Sequence, residues 1–355
     1  MNFELSDEQR MLQDTLRRML KDSDDKVWSQ LAEQGIFTAL FSEEDGGLGG
    51  NGFDLAVVFE ELGRAGSVDP VIESVLVCGR LIAELASDSH KELLERIVAG
   101  EVQLAFAHSE PAARYELSRV QTTVEQHCIN GRKSVVMNAD AAQWFLVSAR
   151  SSGEVDDPTG LSLYLVPADT PGITCNSYEL TGGGNAADII FDNVQLLQDD
   201  CLCEDALVAI ENANAAAIVA LCAQTLGSME TATSMTCEYM TTRQQFGLPL
   251  ATFQALAHRV SDILIELEQA RSAVILAAGH LESDRQTRDL NISAAKNLLG
   301  RIGKLIAEET IQLHGGIGMT NEYRLGHFAK RIVMADHRYG DVDHHLERFI
   351  ALSNA

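Results

Sequence analysis

The hydrophobic pattern of this chain changes period twice, and that change limits its architecture more than any other feature. Up to about residue 102 the apolar residues recur at helical spacing. Ser6 with Gln9 three positions on makes a capping box, and Met11, Leu12, Leu16, Met19 and Leu20 follow as one apolar face. A second helix runs up to Gly35, and another covers about residues 53–64 after the glycine-rich loop 43–50. Further helices run from Ile72 to Leu85 and from Lys91 to Val98. Over residues 103–197 the period falls to two. Val120 to Ile129 alternates, Asn130-Gly131 reads as a type I′ hairpin turn, and short strands follow at Val135 to Met137, Trp144 to Val147, Leu161 to Val166, Ile173 to Tyr178 and Ala187 to Phe191. From residue 198 the helical period returns. Leu256, Val260, Ile263, Leu267, Ala270 and Val274 keep it for five turns, long enough for a bundle. The expectation is an α+β fold: an N-terminal helical domain (1–102), a middle antiparallel β domain (103–197) and a C-terminal four-helix-type bundle (198–355).

Charge narrows the function. The 355 residues hold 27 Lys and Arg against 52 Asp and Glu, a formal net charge of −25, which disfavours phosphate backbones and anionic membrane surfaces as partners. The chain opens without a basic stretch leading into an apolar run, and no stretch of about 18 uninterrupted apolar residues occurs, so the expected location is the cytoplasm. Seven cysteines, an odd number without C-x-x-C, fit free thiols rather than a disulfide framework or a zinc site.

Several text matches fail on context. Gly47-Leu48-Gly49-Gly50-Asn51-Gly52 spells a dinucleotide fingerprint, but no strand precedes it and no acidic residue follows at the required distance, so it reads as a corner between helices. His314, His327, His337, His344 and His345 put no three rings on one helical face, and no metal site is expected. Neither a G-x-S-x-G elbow nor a P-loop is present. Two segments are more pointed. Arg243, Gln245, Phe246 and Gly247 close one helix and Gln254 opens the next, so a guanidinium, an aromatic ring and amides converge in a way that suits a diphosphate beside a flat ring system. Gln312 to Gly318 ends another helix with Gly315, Gly316 and Gly318, where bare backbone can approach a ligand.

In this order, and on this plan, the motifs resemble the acyl-CoA dehydrogenase family nearly from end to end. The matching stretches are Glu43 to Gly49 with Glu60 to Gly63, Asn130 to Lys133, Arg243 to Gln254, and Gln312 to Gly318 with Glu322. The resemblance implies FAD as cofactor, an acyl-CoA thioester as substrate, and electron-transfer flavoprotein or a similar acceptor. In the family a carboxylate removes the α-proton while the β-hydrogen leaves as hydride to the flavin. Each FAD of the family's tetramers lies across two protomers, the ring on one chain's β domain and the adenosine diphosphate half on the neighbour's bundle. The resemblance assigns that second half to Arg243, Gln245, Phe246, Gln254, Gln312, Gly315 and Gly316.

The other half departs from the family. Val135-Val136-Met137 replaces a Trp-Ile-Thr strand beside the flavin, leaving no hydroxyl there, and the loop after Ser109-Glu110-Pro111 lacks the family's Ser-Asp. Tyr339 stands at the catalytic Glu, and the alternative Glu-Arg position on an earlier helix is Ala217-Ile218. Asp341 is the nearest replacement base. The pattern implies a non-catalytic-type subunit that completes the FAD site of a homologous sister chain. The alternatives are a self-sufficient homo-oligomer using Asp341 or another carboxylate, and a flavin-free scaffold. The small residues Ala215 to Ala217 and Ala220 suggest room for a ring-bearing thioester.

Overall fold

The computed structural model describes residues 4–21, 27–85 and 90–354. Helices α1 (Asp7–Leu20), α2 (Val27–Glu33), α3 (Gly52–Ala65), α4 (Cys78–Leu85) and α5 (Lys91–Val98) come first, with a π-helical segment, Val71–Val77, running into α4. The α1 capping box forms: Gln9 N–H donates to Ser6 Oγ at 3.1 Å and Ser6 N–H to Gln9 Oε1 at 3.0 Å. Leu16 and Leu20 are buried, but Met11 points away and is 70% exposed, because it lies 100° around the helix from Leu12. The glycine-rich loop is the expected corner. A Cβ on Gly47 would stand 2.2 Å from the Phe41 carbonyl oxygen, and Gly50 has φ +83°.

The strands are β1 (Leu104–Ala107), β2 (Thr123–Glu125), β3 (Cys128–Met137), β4 (Trp144–Arg150), β5 (Leu161–Pro167), β6 (Ile173–Glu179), β7 (Asn185–Gln195) and β8 (Cys201–Cys203). They form one sheet in the order β6-β7-β3-β2-β4-β5-β8, with β1 added beside β4. Three expectations change here. The sheet is mixed, because β1 and β2 both pair parallel to β4. It also takes a last strand beyond residue 197, since β8, three residues long and too short to show a period, pairs with β5. The hairpin turn between β2 and β3 is made by Gln126 (φ +50°) and His127 (φ +62°), not by Asn130-Gly131, which lies inside β3 at a register shift. Pairing of Thr123 with Asn130 and Val124 with Ile129 outweighs the local preference of Asn-Gly for a turn.

Alternation along the strands splits their side chains between two cores. Phe145, Val147, Tyr164 and Val166 fill the sheet's own interior, while Leu146, Leu161, Leu163 and Leu165 join the helical core. Period two therefore serves here to dock the sheet on both faces. Inside it, Lys133 is fully buried and donates to Glu110 at 2.8 Å, to the His108 carbonyl at 3.1 Å and to Ser148 Oγ at 3.1 Å.

The C-terminal block holds α6 (Leu207–Thr242), α7 (Gln254–Gly279), α8 (Arg285–His314), α9 (Leu325–Asp336) and α10 (Val342–Ser353). Helix α6 is long and apolar enough by length and composition to cross a membrane, yet 72% of its most apolar 18-residue window is buried inside the fold, so it is the central core helix. The Ala side chains read as room for a substrate mostly serve this packing: Ala216, Ala217 and Ala220 are fully buried, and only Ala215 of the four reaches a cavity. Helices α3 and α6 meet backbone to backbone. A Cβ on Gly63 would stand 1.9 Å from the Gln224 carbonyl oxygen, and one on Gly227 1.9 Å from that of Glu60. Gly227→Ala is expected to force the helices apart and lower stability by about 3 kcal/mol, read as a drop in the urea midpoint; an unchanged midpoint contradicts this packing.

Candidate functional site

A cleft opens where the sheet faces α6, α8, the Val71–Val77 segment and the turn between α9 and α10. It consists of two adjoining cavities of about 440 and 490 Å³ that share Glu73, Val135, Met137, His337 and Arg338. On the sheet side a β-bulge between Lys133 and Val136 brings Ser134 and Val135 opposite Asp188 of β7. Val135 sits at φ +53°, a strained conformation for a β-branched residue, and both it and Ser134 line the cleft. Val135 to Met137 carry no hydroxyl, and the bulge places Ser134 in the cavity lining one position before that stretch.

The turn after α9 is fastened from beneath. Lys296, 3% exposed, donates to the carbonyls of Ala335 (3.1 Å), Asp336 (3.1 Å) and Gly340 (2.8 Å), and His345 Nε2 donates to the Tyr339 carbonyl at 3.0 Å. Tyr339 adopts φ +57° and Gly340 φ +111°. The guanidinium of Arg338 lies 5.6 Å over the Tyr339 ring and pairs with the carboxylate of Glu73. Burial, and then the charge of Glu73, push the Tyr339 phenol far above its ordinary pKa, which makes it a hydrogen-bond donor and no base.

Asp341 has another role. It is the N-cap of α10, accepting the His344 amide at 2.9 Å, and is not among the residues lining either cavity. That amide bond, with the Tyr115 hydroxyl, holds its carboxyl below the usual range, and a carboxylate so stabilised is a poorer proton acceptor. The geometry therefore speaks against Asp341 as base, and an acidic residue directly before a helical run was a readable N-cap signal. Ala217 is buried and Ile218 lines the cavity, so the alternative position holds no carboxylate. The carboxylate that the sequence did not reveal is Glu73, 7% exposed, on the π-helical segment.

The second set of residues lies elsewhere. Gln244-Gln245 pairs with Leu248-Pro249 in a small hairpin whose turn is Phe246 (φ +54°) and Gly247 (φ +78°). Phe246 is 93% exposed, and Arg243, Gln245, Gln254, Gln312, Gly315 and Gly316 are exposed as well. The hairpin and the glycine turn share one end of the bundle, because Tyr239 near the end of α6 stacks on His314 at the end of α8 with ring centroids 4.5 Å apart. A Cβ on Gly315 or Gly316 would meet nothing within 4 Å. At Gly316, where φ is not positive, nothing inside the chain requires a missing side chain. An exposed cation, a bare aromatic ring and backbone free of side chains at Gly315 and Gly316 suit the phosphates of a dinucleotide arriving from outside. Along α6 this corner lies roughly 22 Å beyond Ser228, the last cleft residue on that helix, and roughly 37 Å beyond Ile218.

The comparisons with known proteins agree with this geometry. Residues 6–101, 105–194 and 208–341 match the N-terminal, middle and C-terminal domains of acyl-CoA dehydrogenase. The chain is 27% identical to the probable acyl-CoA dehydrogenase YngJ of Bacillus subtilis, with 91% of this chain and 92% of the relative covered. The solved Tcur3481-Tcur3483 steroid ACAD is 27% identical with a TM-score of 0.86, covering 98% of each chain. The ChsE4-ChsE5 complex from Mycobacterium tuberculosis superposes with a TM-score of 0.86 at 22% identity, covering 100% of this chain and 99% of that one. The fold and cleft are those of FAD-dependent oxidoreductases acting on acyl-CoA. The chain belongs to the acyl-CoA dehydrogenase family.

Two buried histidines along the cleft give a pH test. Burial lowers the pKa of both His108 and His345 to about 3, with the Lys133 charge adding to the effect on His108 and that of Lys296 on His345. Below the unfolded value near 6.5 the unfolded chain takes up these protons and the folded chain does not. Each ring therefore removes about 1.4 kcal/mol of stability per pH unit as pH falls from 6.5 towards 3. His345→Asn is expected to flatten the slope of urea stability between pH 6 and 4 by about that amount; an unaltered slope contradicts the assignment.

Proposed function

We propose that this chain is the supporting subunit of a heteromeric FAD-dependent acyl-CoA dehydrogenase. Its bundle corner would complete the FAD site of a homologous sister chain that carries the base. The observation behind the supporting role is Tyr339 at the position that the resemblance gives to the base, with Asp341 spent on capping α10. The separation of the two sets of residues supports only a cofactor shared between protomers, which the family's tetramers have in any case. A dinucleotide with its ring in the middle of this cleft does not bring its phosphates to Arg243 and Gly316 of the same chain, so the exposed corner serves another protomer's cofactor. FAD, when bound, supplies the hydride acceptor. This chain's share is to hold the diphosphate with Arg243, to cover the adjoining surface with Phe246, and to offer the open backbone of Gly315 and Gly316.

The cleft supports the same reading, since burial keeps the Tyr339 phenol protonated. Two-chain relatives of this fold lend further support. A ring-bearing thioester as the substrate of the assembled enzyme, and electron-transfer flavoprotein as its acceptor, belong to this reading; faster turnover of straight-chain thioesters would remove the first.

The experiment is the visible spectrum and native mass of the chain alone and co-expressed with a sister chain. A colourless lone chain and a yellow mixed oligomer with one flavin per pair are expected. One flavin per chain in a homo-oligomer, reduced by an acyl-CoA, would overturn the reading. Loss of the charge-assisted contact in Arg243→Ala is expected to weaken flavin retention by the mixed oligomer about 10- to 100-fold, measured by flavin release in dialysis.

A further inference from the structure

The ion pair between Glu73 and Arg338 spans the boundary between the two cavities, and both residues line both of them. Both partners are set rigidly. Glu73 is carried by the π-helical segment, whose extra residue per turn changes which side chain faces the cleft. Arg338 begins the turn that Lys296 and His345 fasten, and its guanidinium covers the ring of Tyr339, the residue at the family's base position.

We propose that Glu73 and Arg338 form a latch that closes this chain's own cleft to a thioester. An acyl chain that entered would have to part a largely desolvated ion pair or lie against its charges, and apolar groups gain nothing from either. With the pair intact the cleft is two compartments, and the carboxylate of Glu73, which lines both, is tied to Arg338. On this proposal, removing the pair lets the compartments of about 440 and 490 Å³ join along Val135 and Met137, which line both. The latch would keep this subunit from sequestering substrate that only the sister chain can turn over. It rests on the reading that the chemistry lies in the sister's cleft, which the flavin count tests without reference to thioester binding.

The test is equilibrium dialysis of octanoyl-CoA against the purified protein, with whatever sister chain accompanies it, counting ligand per copy of this chain beyond the number of bound flavins. The unsubstituted protein is expected to bind little at this extra site. Arg338→Gln and Glu73→Gln are expected to bind there at least about tenfold more tightly. The exchange Glu73→Arg with Arg338→Glu is expected to restore weak binding, an outcome that mere loosening of the cleft would not produce. The proposal is overturned if the unsubstituted protein already fills one such site per copy, a result that needs no variant to fold. It is also overturned if variants with an unchanged melting temperature bind no better.

Discussion

A 36-residue α-helix is a rod about 54 Å long, and α6 sets the distance between everything of interest in this molecule. Its first half walls the cleft, its middle crosses α3 through the paired glycines Gly63 and Gly227, and its end carries Arg243. Because the rod is buried along most of its length, it cannot bend to bring its ends together. On the proposed reading, the cleft and the exposed corner therefore serve different cofactor molecules, or one cofactor shared between chains. The sharing of a cofactor between chains is in this sense a consequence of helix geometry, whereas the proposed supporting role rests on the side chains at the cleft.

At the cleft, the turn that would carry a base is built for rigidity instead. Lys296 gives its three protons to three carbonyls, and the sheet beside it is anchored by the fully buried Lys133 with Glu110. Burial opposes the charge of Glu110, but Lys133 and the amides of Gln121 and Thr122 outweigh it and keep the carboxyl ionised. Such buried pairs are costly to break, on the order of 3–5 kcal/mol, and they hold the walls of the cleft in place whether or not chemistry occurs there. Retained walls, with Tyr339 at the position that the resemblance gives to the acid, are what the proposed supporting role would require.

Much of this was legible in the residues themselves. Helical and alternating periods divided the chain into its three blocks, the Ser6 and Gln9 pair announced α1, and the cluster from Arg243 to Gln254 marked the corner. What escaped was set by tertiary pairing. Asn130-Gly131 looks like a turn and is a strand, because Asn130 pairs with Thr123 and its neighbour Ile129 with Val124, and the turn passes to Gln126 and His127. A bulge, not a motif, turns Ser134 into the cavity. Glu73 carries no signal in the sequence, since an acidic residue among Val and Ile at helical spacing reads as a surface position until a π-helical turn places it inside.

The most direct measurement is photolabelling of the mixed oligomer with FAD carrying an azide on its adenine ring, followed by peptide mapping. The account predicts that the label attaches to this chain between residues 243 and 254 or between 312 and 319, while the flavin ring is held by the sister chain. Label found only on the sister, or along this chain's own cleft, would contradict it.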